Sequence, residues 1–302
     1  MKIALAGGTG FIGKELIALL KDRGHTIYLL TRNSDKFYDE DINIIEWLNP
    51  ENHPERYLED MDAFINLSGT SLNSGRWTLK RKQEIVESRL NTVKEVLRIL
   101  KTVRQKPKVF INASAIGFYG TSENHIYTEK ETTAGVDFLA ETVTKWEEEA
   151  SHVYELGIRT VYARFGLILG TNGGALPKLI LPYKLFMGGK LGTGQQWYSW
   201  IHIDDVARAL LFCIQNSSLT GPVNITAPEP VQMDDFGRAI GQVLHRPHWT
   251  VVPSNILRLV LGEMSLLILK GQQVIPVKLL KNDFKFIYPK IEPALRNLID
   301  ND

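Results

Sequence analysis

Along the first 166 residues the apolar positions switch repeatedly between an unbroken run and a helical spacing, and the switches mark the elements. Ile3-Ala4-Leu5-Ala6 is a strand-length apolar run, and Lys14-Glu15-Leu16-Ile17-Ala18-Leu19-Leu20 follows at helical spacing and stops at Arg23-Gly24-His25. Thr26 to Leu30 reads as a second strand, Asn43 to Glu46 as a short third, and Asp62 to Gly69 as a buried strand that ends in small residues. Ile85, Val86, Leu90, Val93, Leu97, Leu100 and Val103 then recur along one face of a long helix beginning near Thr78. Lys108 to Ser114 is the next strand, Phe138 to Leu156 the next helix, and Ile158 to Ala163 with Arg164 a further strand.

Strands that alternate with helices in this way predict an α/β fold, a Rossmann-type doubly wound parallel sheet. Beyond Gly166 the chain turns rich in glycine, proline and aromatic residues, with Gly173-Gly174, Pro177, Pro182, Gly188-Gly189 and Gly192-Thr193-Gly194 marking turns. A strand at 223–226, a helix at 233–244 and a helix at 253–270 complete a smaller C-terminal α/β substrate lobe. The expected division is residues 1–166 for the nucleotide domain and 167–302 for the lobe, with strand 223–226 free to join the main sheet. The apolar run from Ile256 to Leu269 carries Arg258 and Glu263 and falls short of the ~20 residues of a bilayer span, so it reads as a buried or half-buried helix.

Composition narrows the function classes. In 302 residues, 35 basic and 34 acidic side chains give a net charge of +1, and they are mixed along the chain, so nothing in the overall balance argues for nucleic acid or an anionic membrane. One cysteine, Cys213, excludes an internal disulfide and suits a reducing compartment. A strand begins within a few residues of the start, where a secretory signal would place a basic and then an apolar region, so the expected location is cytoplasmic.

The chemistry is most concentrated in Gly7-Gly8-Thr9-Gly10-Phe11-Ile12-Gly13. Glycines between a strand and a helix let bare backbone N–H groups and the positive end of the helix approach a pyrophosphate. Gly8, Gly10 and Gly13 fit GxGxxG; Gly7, Gly10 and Gly13 fit GxxGxxG. After the second strand comes Thr31-Arg32-Asn33-Ser34, where an NAD site would place an acid for the ribose 2′-OH; Arg32 instead offers a cation to a 2′-phosphate, so NADP(H) is expected. A solvated arginine is the alternative. Leu67, Ser68 and Gly69, at the carboxyl end of a strand, should border the cofactor. Arg76, Glu84, Ser88 and Arg89 are the polar residues near the start of the long helix, and an arginine there can reach a phosphate or form a surface ion pair. Ser114 ends its strand with a hydroxyl that would face a nicotinamide. His202 stands beside Asp204-Asp205 where a short strand meets a helix, open to an acid/base role or a structural one, and Pro247 separates His245 from His248 with no further ligands nearby, so no metal is expected.

These motifs, in this order and at these intervals, resemble the extended short-chain dehydrogenase/reductases, the group of nucleotide-sugar epimerases and dehydratases. Ser74-Gly75-Arg76-Trp77, Glu84 with Ser88-Arg89, Lys145-Trp146-Glu147, Gly173-Gly174-Ala175, Trp200 to Asp205, Gly262-Glu263 and Gly271 to Pro276 are more similar still to an atypical branch, the epimerase-family proteins with a C-terminal domain of unknown function. The resemblance implies NADP(H) contacts at Gly7, Thr9, Gly10, Phe11, Ile12, Gly13, Thr31, Arg32, Leu67, Ser68, Gly69, Glu84 and Arg89. It also implies that Ser114 orients a substrate oxygen and Lys145 holds the nicotinamide ribose. The wider family moves its proton with a tyrosine four residues before that lysine, a helical turn away on the same face. Here Glu141 stands in that place, and none of the ten tyrosines has a lysine four residues on. Tyr119, beyond Ser114, is then the candidate acid/base, with a packed structural tyrosine as its alternative; Glu141 is a second candidate. Two functions follow: an NADP(H)-dependent epimerase or reductase of a hydroxyl- or carbonyl-bearing small molecule such as a nucleotide sugar, or an NADP(H)-binding redox sensor that acts through a protein partner. The long helix at 78–103 could support a homodimer.

Overall fold

The computed structural model describes residues 1–36, 38–72 and 74–300. Seven strands form the central sheet: β1 (Lys2–Ala6), β2 (Thr26–Thr31), β3 (Ile42–Glu46), β4 (Ala63–Asn66), β5 (Val109–Ala115), β6 (Arg159–Phe165) and β7 (Gly221–Ile225). Their order is β7-β6-β5-β4-β1-β2-β3, and every neighbour pair is parallel. Parallel strands covered on both faces need apolar side chains on both, which is why Ile3, Ala4, Leu5 and Ala6, and likewise Phe64, Phe110 and Ile111, are fully buried without alternation.

The first helices are α1 (Phe11–Asp22), α2 (Leu79–Thr102), α3 (Phe138–Ser151), α4 (Leu176–Lys184) and α5 (Ile203–Gln215). From β1 the chain winds outward through α1 to β2 and β3, then returns to β4 and proceeds the other way through α2 to β5. Right-handed crossovers therefore place α1 and α2 on opposite faces of the sheet. α1 packs with α5, and α2 packs with α3. The order reverses between β1 and β4, so a crevice opens at their carboxyl ends, where ligands bind in such sheets.

Beyond them lie α6 (Met233–Leu244), α7 (Ser254–Leu261), α8 (Leu266–Leu269), α9 (Val277–Lys281) and α10 (Ile291–Asp300), with α6 packed between α4 and α10. The last third of the chain is shared between both parts. α5 covers the sheet through α1, and β7 extends the sheet beside β6, as strand 223–226 was free to do. The helix expected at 253–270 is broken. Gly262, at φ +59°, ends α7, and a 3-10 turn (Gly262–Ser265) precedes the single turn of α8. It is at most half-buried: no residue of α7 is fully buried, Leu257 and Leu261 are half-buried, and Ile256, Leu259 and Val260 are exposed. An apolar run states that a segment prefers a nonpolar neighbour; it does not state that this chain supplies one.

Candidate functional site

The glycine turn sits at the mouth of the crevice. Gly7 has φ +81°, and a Cβ there would lie 2.7 Å from the carbonyl carbon of Leu67 at the end of β4, so this glycine is what lets the β1 and β4 loops touch. A Cβ on Gly13 would fall 2.4 Å from the Cα of Gly8, so α1 can begin directly under the turn only with glycine there. Gly10 is the N-cap of α1; no side chain caps the helix and its first turn carries no acid. The N–H groups at the start of α1 are thus left for an anion. Phe11 anchors the other side. A Cβ on Gly170, Gly173 or Gly174 would come within 2.6 to 3.0 Å of its ring, which explains the second glycine cluster as a loop folded over the first turn of α1.

At the end of β2, Arg32 is exposed and makes no hydrogen bond or ion pair with a described residue. An acid does approach this loop from β3, where Glu46 pairs with Thr31 across the sheet. Its Oε1 accepts the N–H of Ser34 at 3.0 Å and the Ser34 hydroxyl at 2.8 Å, and these bonds hold its pKa below the usual carboxylate range. Sequence distance hid this acid.

Beyond the end of β4 lies a largely desolvated cation. Arg89 donates through Nη1 to the carbonyls of Thr70 (3.1 Å) and Ile85 (2.9 Å), and its guanidinium lies 5.0 Å from the Trp146 ring on α3. No carboxylate among the described residues pairs with it. Burial, then the charge of Arg81, push its pKa down to about 10. Its side chain runs under Gly69, where a Cβ would come 3.5 Å from Cζ. Glu84, the neighbouring expected contact, pairs with Arg81 at 3.1 Å; Arg81 also ties down the Ser71 carbonyl and the Ser74 hydroxyl. Asn73 of this loop lies outside the described residues. Trp77 turns inward, bonded through Nε1 to the Leu72 carbonyl at 3.0 Å, while Arg76 reaches the Val260 carbonyl at 3.2 Å and ties the loop to α7.

At the end of β5 Ser114 belongs to a buried polar network. Ser114 donates its hydroxyl proton to Glu147 Oε1 at 2.5 Å; Glu147 is held by Arg164 through two further bonds, 2.8 Å to Oε1 and 2.7 Å to Oε2. The Arg164 guanidinium stacks on Phe118 at 3.6 Å and lies 4.9 Å from the Tyr119 ring. Tyr119 donates to Asn224 Oδ1 at 2.8 Å, and Asn224 donates in turn to the Ile275 carbonyl at 3.1 Å. Ser114, Tyr119, Glu147 and Arg164 are all buried. Burial pushes the Tyr119 phenol up, against the pull of Arg164, whereas a tyrosine base needs it lowered. Lys145 stands on the exposed strip of α3 with Glu141, and it bonds to neither Ser114 nor Tyr119. Of the network's members, Glu147 stands in a motif that carries the resemblance but with no role attached, and Arg164 and Asn224 carry no site reading in the sequence. The one signal was Arg164 itself, a cation inside the run Val161-Tyr162-Ala163-Arg164-Phe165, which demands a buried partner.

His202 caps α5, accepting the Asp204 N–H on Nδ1 at 3.1 Å while Nε2 meets Asn297 Oδ1 at 3.1 Å and the ring stacks on Tyr288. Burial holds its pKa below the ordinary histidine value. His248 is held between Tyr183 (2.8 Å) and Asp234 (2.9 Å).

A doubly wound parallel sheet with a glycine turn, an uncapped helix start and two arginines around the switch-point crevice defines a dinucleotide-binding Rossmann protein. Comparison with known sequences resolves it further: the profile of the NAD dependent epimerase/dehydratase family matches residues 3–226, and that of a domain of unknown function matches 252–298. The chain belongs to this epimerase family, in its atypical short-chain dehydrogenase/reductase branch. It is 48% identical to the epimerase family protein YfhF of Bacillus subtilis, over 99% of this chain and 98% of that one. Among solved structures it resembles the human epimerase family protein SDR39U1 (isoform 2) with NADPH, at TM-score 0.88 and 30% identity over all of both chains. It also resembles a nucleoside-diphosphate sugar epimerase from Corynebacterium glutamicum, at TM-score 0.79 and 28% identity, over all of this chain and 59% of the other.

Proposed function

We propose that the protein is an NADP(H)-dependent oxidoreductase of the epimerase type, acting on a hydroxyl- or carbonyl-bearing small molecule. The observation that carries the proposal is Arg89: a desolvated guanidinium without a carboxylate partner among the described residues, under Gly69 in the loop after β4, the loop that touches the glycine turn leading into the uncapped α1. Such a charge is costly until an anion arrives, and the two phosphates of a dinucleotide would lie between these positions. Arg32, unpartnered among the described residues at the β2 end, supports a 2′-phosphate. The human relative solved with NADPH agrees with that choice. When bound, the nicotinamide supplies hydride transfer.

The residues at the β5 end set which substrate group can be received. The Ser114 proton is committed to Glu147, so its oxygen can accept from a substrate hydroxyl, and the carboxylate behind it gives that proton somewhere to go. Tyr119 keeps the Arg164 side of this network in place through Asn224. Lys145, exposed on α3, is proposed for the ribose hydroxyls. These roles favour an enzyme over a redox sensor, because a sensor has no use for a hydroxyl wired to a buried carboxylate.

The test is single-turnover oxidation of bound NADPH against a panel of carbonyl compounds and nucleotide sugars. Oxidation above the substrate-free rate is expected, with loss of about a hundredfold in Ser114→Ala at unchanged NADPH affinity. Equal rates in Ser114→Ala and the parent protein for an accepted substrate would remove Ser114 from the chemistry.

A further inference from the structure

On the C-terminal lobe two segments hold large apolar side chains in solvent. Leu185, Phe186 and Met187 follow α4, and Trp249 and Val251 follow α6; each is more than half exposed, Trp249 by 73%. Hydrogen bonds join the two segments. Trp249 Nε1 donates to the Phe186 carbonyl at 2.9 Å, the Thr250 hydroxyl to the Met187 carbonyl at 2.9 Å, and the short strands Gly189–Leu191 and Thr250–Val252 pair in parallel. Phe186 sits at φ +59°, a left-handed conformation that an aromatic residue rarely adopts. The fold therefore holds this ring outward at some conformational cost.

Charge on this face is predominantly positive. The segments that carry the apolar cluster bring Lys190 and Arg246, and the carboxylate beside them, Asp234, is already bonded to Arg238 and His248. The Arg246 guanidinium lies 4.3 Å from the Phe186 ring, so cation and apolar cluster are one surface. Beside it an open cavity of about 530 Å³ is lined by Arg238, Gly241, Gln242, His245, Arg246 and His248. Asp234, from the start of α6, bonds to Arg238 and His248 (2.9 Å each); Arg246 pairs with no carboxylate among the described residues.

We propose that this face docks on a bilayer containing anionic phospholipid. A headgroup phosphate occupies the cavity at Arg246, and Leu185, Phe186, Met187 and Trp249 enter the boundary between headgroups and acyl chains. Trp, Phe and Leu beside arginine are what an interfacial anchor presents. Charge complementarity decides the occupant. A twofold contact between copies would bring like-charged surfaces together, since each residue of such a patch faces the same patch of its partner. The net charge of +1, which argued against an anionic membrane from the sequence, averages this local excess away.

Co-sedimentation of the full chain with vesicles tests the proposal. Binding is expected to equimolar phosphatidylcholine and phosphatidylglycerol, not to phosphatidylcholine alone, and should weaken as salt rises. Arg246→Ser should weaken it about fivefold, the worth of one cation near an anionic surface. The pair Leu185→Ser and Met187→Ser should weaken it about tenfold or more while the thermal midpoint and NADPH affinity stay within error of the parent. Brominated acyl chains should quench fluorescence in the parent and not in Trp249→Phe. No sedimentation with anionic vesicles would overturn the proposal, as would binding indifferent to the Leu185/Met187 pair. A dimer in analytical ultracentrifugation that this pair dissolves would give the face to a second copy instead.

Discussion

Arg89 is a half-buried, largely desolvated cation with no carboxylate beside it among the described residues, and that imbalance can be measured. Burial, and then the charge of Arg81, draw its pKa down to about 10, so the surroundings disfavour the charged form. Arg89→Met removes the charge and retains the stem. The apoprotein should then be as stable as the parent or more so by thermal melting, while NADPH affinity falls about tenfold or more by fluorescence titration. A purely structural arginine would show the reverse, with lower stability and affinity unchanged. Arg89 was legible in the sequence as a residue near the crevice, but not as a desolvated one, because burial depends on Trp146 more than fifty positions away on α3. The same limit hid the Ser114 network. Ser114 meets Glu147 33 positions on, and Tyr119 meets Asn224 105 positions on; no local pattern encodes either pairing.

At the scale of elements, α1 and α5 begin in opposite ways. α1 starts bare, with glycine as its cap and no acid in its first turn, and this was readable because the constraint is local: a turn too tight for Cβ atoms must be written in glycine. α5 starts satisfied, with His202 as cap and Asp204 and Asp205 in its first turn. Since His202 accepts the Asp204 N–H on Nδ1, the cap works only with a neutral ring. Its folded pKa is depressed by burial, so the unfolded chain binds the extra proton first as pH falls. The stability it contributes is complete above the ordinary histidine value of about 6.5 and is lost as pH drops from there through the folded value. His202→Asn keeps a capping oxygen and cannot titrate. Its thermal midpoint should fall less than the parent's between neutral pH and pH 5 or so; parallel curves would mean that the ring is not the titrating group. α7 shows where pattern reading stops: a run that reads as one buried or half-buried helix is broken at Gly262, and while Leu257 and Leu261 are half-buried, Ile256, Leu259 and Val260 stay exposed.

For the whole molecule, the division into a nucleotide domain and a lobe is less clean than composition suggests. Asp205, fully buried on α5, accepts the N–H groups of Ile287 and Tyr288 at 2.9 Å each and binds Arg208 at 2.8 Å, so the C-terminal segment is fastened to the helix that covers the sheet. Glu129 similarly joins β7 to α9, accepting from the N–H of Asn224 and of Lys278. Asp205→Ala leaves two backbone donors and an arginine without their acceptor, and should cost about 3 kcal/mol in denaturant unfolding. Amide exchange should quicken first in residues 284–300; uniform exchange across the chain would contradict a role for Asp205 as their anchor.

The central claim, that this crevice receives NADP(H), is tested most directly by titrating the parent protein and Arg32→Ala with NADPH and with NADH. The expected result is tighter binding of NADPH by the parent, and a loss of tenfold or more for NADPH with little change for NADH in Arg32→Ala. Equal losses for both cofactors, or a parent that prefers NADH, would contradict it.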